Sequence, residues 1–443
     1  MNIKNIYNSD KFFILGIGGS GMSSIAKFLI ESGMNVKGYD QRKSQITTQL
    51  LKLGVEINNN TEISIPDGSI VLTSSAIDSQ HDLINKSKEN KLEILDRPDF
   101  LSKLTQNIDT IGVAGSHGKT STSALLSHIY SYNKIDYSHI YGGITPFSGL
   151  GGHYGSADKL ILETDEAFKT FQNFELKDLI LTNIDDDHLD HYGSFENMLG
   201  AFEKLVEKTS TSPILNNDDA SLKSIASKVD SVTYGSGKDC IFQYKNINSF
   251  RYNKKDYILP ANIPSKHFTM NAIAAIANAN MNGVEIEQSL ESISTFSGVK
   301  RRSELIGIKN GIKIYDDYGH HPTEMDAIIQ SLKYISEGSL FVVFQPHRYT
   351  RTEQLFDRFI PALENAHKSF ILDIYSAGEE PIPGVSTKIL LDKYGISNVS
   401  YINSSRLIPG IISQEAQKGD VVLTLGAGDV TLLGKKIMDA IDD

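Results

Sequence analysis

The segment Ile111-Gly-Val-Ala-Gly-Ser-His-Gly-Lys-Thr-Ser121 constrains this chain more than any other stretch. A β-branched apolar run ends in Gly115-Ser-His-Gly-Lys-Thr120, and a helix-compatible stretch begins at Ser121. A strand, a tight glycine loop and a helix start aim several backbone N–H groups at one point, which makes a cradle for phosphate. Gly115, Ser116, His117, Gly118, Lys119, Thr120 and Ser121 form that candidate cradle. In it Lys119 can reach β/γ-phosphates and the Thr120 hydroxyl can ligate the Mg²⁺ that travels with them. Val113 stands where the longer phosphate-loop consensus carries its first glycine. The loop implies ATP or GTP, and therefore energy-coupled chemistry.

A second glycine turn lies near the N-terminus. Gly16-Ile-Gly18-Gly-Ser-Gly21 follows the strand-like run Lys11-Phe-Phe-Ile-Leu15, and Asp40 lies 19 residues beyond Gly21. Its physics is that of a diphosphate at a helix start with a carboxylate on a ribose hydroxyl. NAD, a UDP-sugar and a plain tight turn all satisfy that pattern. The phosphate loop at Gly115 argues against NAD, because a dehydrogenase has no need of one.

Apolar strand-like runs alternate with helical patterns throughout, which predicts α/β layers built on parallel sheets. In the first block Met22–Ser32 reads as a helix, with Val36–Tyr39 and Ser69–Leu72 as further strands. In the second, strands are expected from Lys159, Asp178 and Pro213, an antiparallel excursion between Val232 and Pro260, and a helix over Met270–Asn280. In the third, strands are expected at Ile312–Tyr315, Leu340–Phe344, Phe370–Ile374 and Val421–Leu425. The polar stretch Ser102–Asp109 and Ser297-Gly298-Val299 read as boundaries, giving domains over 1–105, 106–297 and 298–443.

At 443 residues with 40% hydrophobic side chains, the chain can build several real cores. A net charge of −11 without a long basic run excludes wholesale binding to nucleic acid. The single cysteine, Cys240, excludes an intrachain disulfide and a multi-cysteine zinc site. No apolar run is long enough for a signal peptide or a membrane span, so a cytoplasmic location is expected.

Further segments complete a pattern: Thr73-Ser-Ser-Ala-Ile77, Glu163-Thr-Asp-Glu166, Thr182-Asn-Ile184 with Asp187-His-Leu-Asp190, and Gly298-Val-Lys-Arg-Arg302. To these the C-terminal third adds Asp316-Asp-Tyr-Gly-His-His-Pro-Thr-Glu324 and Gln345-Pro-His-Arg-Tyr-Thr-Arg-Thr352. Together with the two loops, they make the chain resemble the Mur ligases of peptidoglycan synthesis from residue 16 to about 430. The last two strings resemble the alanine-adding branch most. The resemblance implies three domains: a Rossmann-like UDP-sugar domain, a P-loop-type ATPase domain, and a C-terminal Rossmann-like domain that closes over ATP and binds the amino acid. It implies ATP-dependent ligation of L-alanine to the carboxylate of UDP-N-acetylmuramate through an acyl phosphate, with ATP and Mg²⁺ required. Partners are then small molecules, with neither nucleic acid nor membrane insertion. The alternatives are a recycling ligase that adds a peptide to the same sugar nucleotide, an NAD-dependent sugar-nucleotide dehydrogenase, and a non-catalytic UDP-sugar binder.

The same resemblance implies roles residue by residue. Lys119, Glu163, His188 and Arg302 would be catalytic, with Thr120, Glu163 and His188 on metal. Asn271, Arg302 and Asp317 join the phosphate loop around ATP. Gly18, Gly19, Ser20, Gly21, Met22, Asp40, Ser74 and Ser75 would hold the UDP-sugar. His347, Arg348 and Arg351 would clamp the carboxylates of the amino acid and the muramoyl acid, for which guanidinium forks are suited. Two departures stand out. His267-Phe268-Thr-Met-Asn271 replaces the family's His-Asn-x-x-Asn, and Asp165-Glu166-Ala167-Phe168 replaces its Asp-Glu-Ser-Asp. The first loses one amide, worth about 1 kcal/mol if it bonded the base.

Overall fold

A computed structural model describes residues 2–74, 77–186, 189–260 and 265–441. Two compact units emerge, one of Met1–Asn262 with His267–Ser297 and one of Ile263–Lys266 with Gly298–Asp443.

The first unit opens with β1 (Lys11–Leu15), β2 (Asn35–Tyr39), β3 (Glu56–Asn58), β4 (Ile70–Thr73) and β5 (Ile94–Asp96). These pair in the order β3-β2-β1-β4-β5, all parallel. The run Phe12–Leu15 is wholly buried because apolar clusters cover both faces of the sheet. Chain order reverses between β1 and β4, so the glycine loop after β1 opens at the crevice where such sheets bind ligands.

The middle segment adds β6 (Asp109–Ala114), β7 (Ser138–Thr145), β8 (Gly149–His153), β9 (Lys159–Glu163), β10 (Asp178–Leu181), β11 (Ile214–Asn216), β12 (Val232–Gly235), β13 (Phe242–Asn246), β14 (Ser249–Tyr252) and β15 (Lys255–Ile258). They form one sheet, ordered β15-β14-β13-β12-β11-β10-β6-β9-β7-β8. The excursion expected after Val232 is a parallel strand followed by the antiparallel meander β13–β15. Again β6 sits at a reversal, between β10 and β9, with its loop at the carboxyl end.

First and middle segments are packed together in this unit. The helix Ser20–Glu31 lies on β7 and β8, where Ser24 Oγ donates to Tyr141 O at 2.7 Å and Lys27 Nζ bonds Gly152 O. His153 Nδ1 and the Tyr154 N–H reach Glu31 Oε2 at 2.8 and 3.0 Å. One apolar cluster runs from Ile3 to Ile225 through both segments.

The second unit holds β16 (Glu304–Lys309), β17 (Ile312–Asp317), β18 (Leu340–Phe344), β19 (Lys368–Ile371), β20 (Val399–Tyr401) and β21 (Val421–Leu425), ordered β16-β17-β21-β18-β19-β20. Only β16–β17 is antiparallel. Here the strand expected over Phe370–Ile374 runs from Lys368 to Ile371. The chain leaves the sheet after Ile371 and bridges Tyr375 to His347. The helix expected over Met22–Ser32 spans Ser20–Glu31, and the helix expected over Met270–Asn280 spans Lys266–Met281. Among the described residues no helix is long and apolar enough to cross a membrane.

Candidate active site

The loop after β6 takes the expected form. Gly115 and Gly118 have φ of +125° and +85°, and Gly118 caps the helix Lys119–Tyr132 without a side-chain cap. The leading N–H groups of that helix are therefore left for an anion. A Cβ on Gly118 would meet Asn271 Oδ1 at 2.8 Å, so Asn271 stands directly over the loop. Residues after β10, without a role in the sequence reading, pin the loop from below. Ser116 N donates to Asn183 O at 3.0 Å, His117 N to Asn183 Oδ1 at 2.8 Å, and Thr182 Oγ1 to His117 O at 2.6 Å. His117 Nε2 meets Asp185 Oδ2 at 2.9 Å.

Thr120 Oγ1 donates to Glu163 Oε1 at 2.8 Å, while Glu163 Oε2 accepts the Gly142 N–H at 2.6 Å. A hydroxyl and a carboxylate so placed are the hard oxygen donors that Mg²⁺ prefers. His188, the third expected ligand, and Ser75 lie outside the described residues.

Glu166 lies in a string that the sequence reading singled out, but without a role of its own. Its side chain is 1% exposed, and its two oxygens lie 2.7 and 3.0 Å from Lys119 Nζ. The same ammonium donates to Gly115 O at 2.7 Å and Ser116 O at 3.0 Å. Burial, reinforced by Asp165, pushes the Glu166 carboxyl up to about 7 against the pull of Lys119. Burial works against the charged Lys119, yet the surrounding carboxylates, Glu166 foremost, hold it above its ordinary value.

Around the first loop, Gly19 caps the helix Ser20–Glu31, again without a side-chain cap. Asp40 accepts the Gly18 N–H at 2.8 Å and the Arg42 N–H at 2.9 Å, so its carboxylate braces the loop. Met22 is buried in the adjoining core. A cavity of ≈ 700 Å³ opens beside the carboxyl ends of β4 and β5, lined in part by Thr73, Ser74, Asp96, Arg97 and Asp165. The Arg97 guanidinium lies over Gly21, with its Cζ 2.9 Å from where a Cβ would be. It pairs with Asp165 at 3.4 Å. Neither Arg97 nor Asp165 was assigned a role: a lone Arg-Pro carries no spacing signal, and Asp165 entered only as part of the string Glu163-Thr-Asp-Glu166.

In the second unit Asp317 closes β17. Its oxygens accept Ser303 N–H and Gly319 N–H, both at 2.7 Å. Burial pushes its carboxyl up to about 6, opposed by Arg302 and the two N–H groups. Arg302 lies over the Tyr318 ring, 5.1 Å from its centroid, and 3.6 Å from Glu324. His347 stacks on Tyr375 at 5.5 Å, and burial, with His320, Arg351 and Arg348 nearby, lowers it to about 3. His347, Arg348 and Arg351 thus lie close enough to act on one another electrostatically.

Arg348 has φ of +71°, a conformation that costs a non-glycine residue about 1–3 kcal/mol. Three attachments impose it: its N–H on Tyr375 O at 2.8 Å, its Nε on Glu379 at 2.9 Å, and its carbonyl accepting Thr352 Oγ1 at 2.7 Å.

The raised Asp317 carboxyl makes stability depend on pH. Between about 4 and 6 the folded unit keeps a proton that the unfolded chain sheds, so stability falls as pH rises through that window. The loss should be roughly 3 kcal/mol. Denaturant melts of the Asp317→Asn variant should show that slope flattened; an unchanged slope removes Asp317 as its source.

Three family models together match most of the chain. Residues 11–108 match the Mur ligase family catalytic domain, 113–279 the Mur ligase middle domain, and 301–428 the Mur ligase glutamate ligase domain. The UDP-N-acetylmuramate–L-alanine ligase of Rhizobium etli is 32% identical over 94% of both chains. That of Solibacter usitatus is 34% identical over 96% of this chain and 94% of its own, and that of Desulforamulus reducens 33% over 98% of both. Among solved structures, the UDP-N-acetylmuramate–alanine ligase of Thermotoga maritima shares the fold with a TM-score of 0.81 at 24% identity, covering 97% of this chain and 98% of its own. The murein peptide ligase of Psychrobacter arcticus follows with a TM-score of 0.71, the same identity and the same coverage.

Proposed function

We propose that this chain, a member of the Mur ligase family, joins L-alanine to the carboxylate of UDP-N-acetylmuramate, converting ATP to ADP and phosphate. The near full-length likeness to alanine-adding relatives carries this reading. An unactivated carboxylate is a poor electrophile at neutral pH, so the γ-phosphate is spent to make an acyl phosphate that the alanine amine attacks.

Phosphoryl transfer is largely positioning and charge neutralisation. The N–H groups of Gly118 to Ser121 cradle the triphosphate, and Lys119 neutralises its β/γ end. Asn271 flanks the nucleotide. Thr120 and Glu163, with His188, would hold Mg²⁺, which supplies charge neutralisation between the two anions. The first loop, Gly18 to Met22, takes the UDP diphosphate, and Asp40, Ser74 and Ser75 complete that subsite. The ≈ 700 Å³ cavity beside Ser74 is of a size for a nucleotide-sugar fragment. His347, Arg348 and Arg351 recognise carboxylate; a neutral His347 leaves the two guanidinium groups as the charge there.

The test is phosphate release from ATP and UDP-N-acetylmuramate, screened across amino acids and peptides. Release should require all three substrates and be fastest with L-alanine. A requirement for a peptide in place of alanine, or micromolar NAD binding with none of the UDP-sugar, overturns the reading.

A further inference from the structure

Lys119 has three N–H donors, and all three directions are taken: Gly115 O, Ser116 O and the Glu166 carboxylate. A triphosphate that reaches for this ammonium must displace at least one of them. The carbonyls belong to the loop itself and move with the lysine. Glu166 comes from the turn after β9, 47 residues along the chain, and its carboxylate is buried against the ammonium that an incoming triphosphate would need. Tyr192 anchors the turn that carries it, its hydroxyl donating to Glu166 O at 2.8 Å. A buried carboxylate on an anion-binding lysine opposes the ligand twice, by occupying the cation and by repelling negative charge.

We propose that Glu166 is a positioning residue that competes with the triphosphate for Lys119, holding the ammonium against its own loop until nucleotide displaces it. This rests on the reading of the loop as an ATP site, but inorganic triphosphate probes it separately, since it presents the same phosphates without the base. Calorimetry of the full-length protein with inorganic triphosphate and with ATP, in Mg²⁺ buffer, compares wild type with Glu166→Gln and Glu166→Asp. Glu166→Gln removes the competing charge and should bind triphosphate about tenfold more tightly. Glu166→Asp draws the carboxylate back by one methylene and should fall between the two. It also serves alone if the glutamine variant does not fold. A merely structural role would weaken binding in both variants. Affinity equal to or below wild type in either folded variant overturns the proposal, as does failure of triphosphate to bind any form. Tighter triphosphate binding without ATP binding would uphold the competition and refute the ATP site.

Discussion

Replacing Lys119 by alanine is expected to lower phosphate release by about a thousandfold or more, while UDP-N-acetylmuramate binds as before. The ammonium is the cation of the loop, and losing one preorganised charge-stabilising donor commonly costs 10²–10³ in turnover. The sugar nucleotide is assigned to the other glycine loop, on another sheet, so its affinity should not follow. One complication can be removed by design. Without Lys119, the buried Glu166 loses its cation, which by itself can cost several kcal/mol of stability. Lys119→Ala/Glu166→Gln takes away both charges, and should recover melting temperature without recovering turnover. Recovery of turnover in the double variant would show that the single variant failed through folding, and Lys119 would lose its place in the chemistry.

The second large effect is expected at Gly152, far from any phosphate. It lies in β8 beneath the helix Ser20–Glu31, and a Cβ there would overlap Ser24 O outright and stand 3.0 Å from Phe28 N. Backbone cannot yield as the tip of a flexible side chain can. Gly152→Ala must lift the helix from the sheet, loosening Ser24 on Tyr141 and the Glu31 contacts to His153 and Tyr154. Overpacking of this kind costs about 3 kcal/mol or more, a fall of roughly 5 °C in melting temperature. Proteolysis between residues 97 and 108 should accelerate in step. A melting temperature within a degree of wild type would mean that this contact does not hold the two segments together.

Much of the architecture is legible from local pattern. The apolar runs Phe12–Leu15 and Leu340–Phe344, and Val421–Leu425 broken only by Thr424, are buried on both faces, as parallel strands between helices require. Both glycine loops could be read because a strand end, a positive-φ glycine and a helix start are written within a dozen consecutive residues. Asn271 and Asp317 were reached through resemblance of motif rather than through pattern. What local pattern could not supply is which segments meet: the packing of residues 1–105 onto 106–297 depends on polar helix residues, Ser24, Lys27 and Glu31, that look like a solvated face in sequence.

The chemistry divides along the same line. The sequence by itself determined the phosphate cradle, because its backbone N–H groups and Lys119 are contiguous, and their direction follows from strand-loop-helix geometry. Only the tertiary structure decided how those charges are balanced. Lys119 with Glu166, Arg97 with Asp165, and His117 with Asp185 are pairs 47, 68 and 68 residues apart. The chain carries 54 acidic side chains, any of which could be a partner by composition. For Lys119 and His117 the facing carboxylate is set by strand order, since β6, β9 and β10 lie side by side and release their loops at their carboxyl ends; Arg97 reaches Asp165 from the loop end of β5 in the other sheet. A charge is worth little in water and a great deal when buried, so the electrostatics of the site belong to the fold.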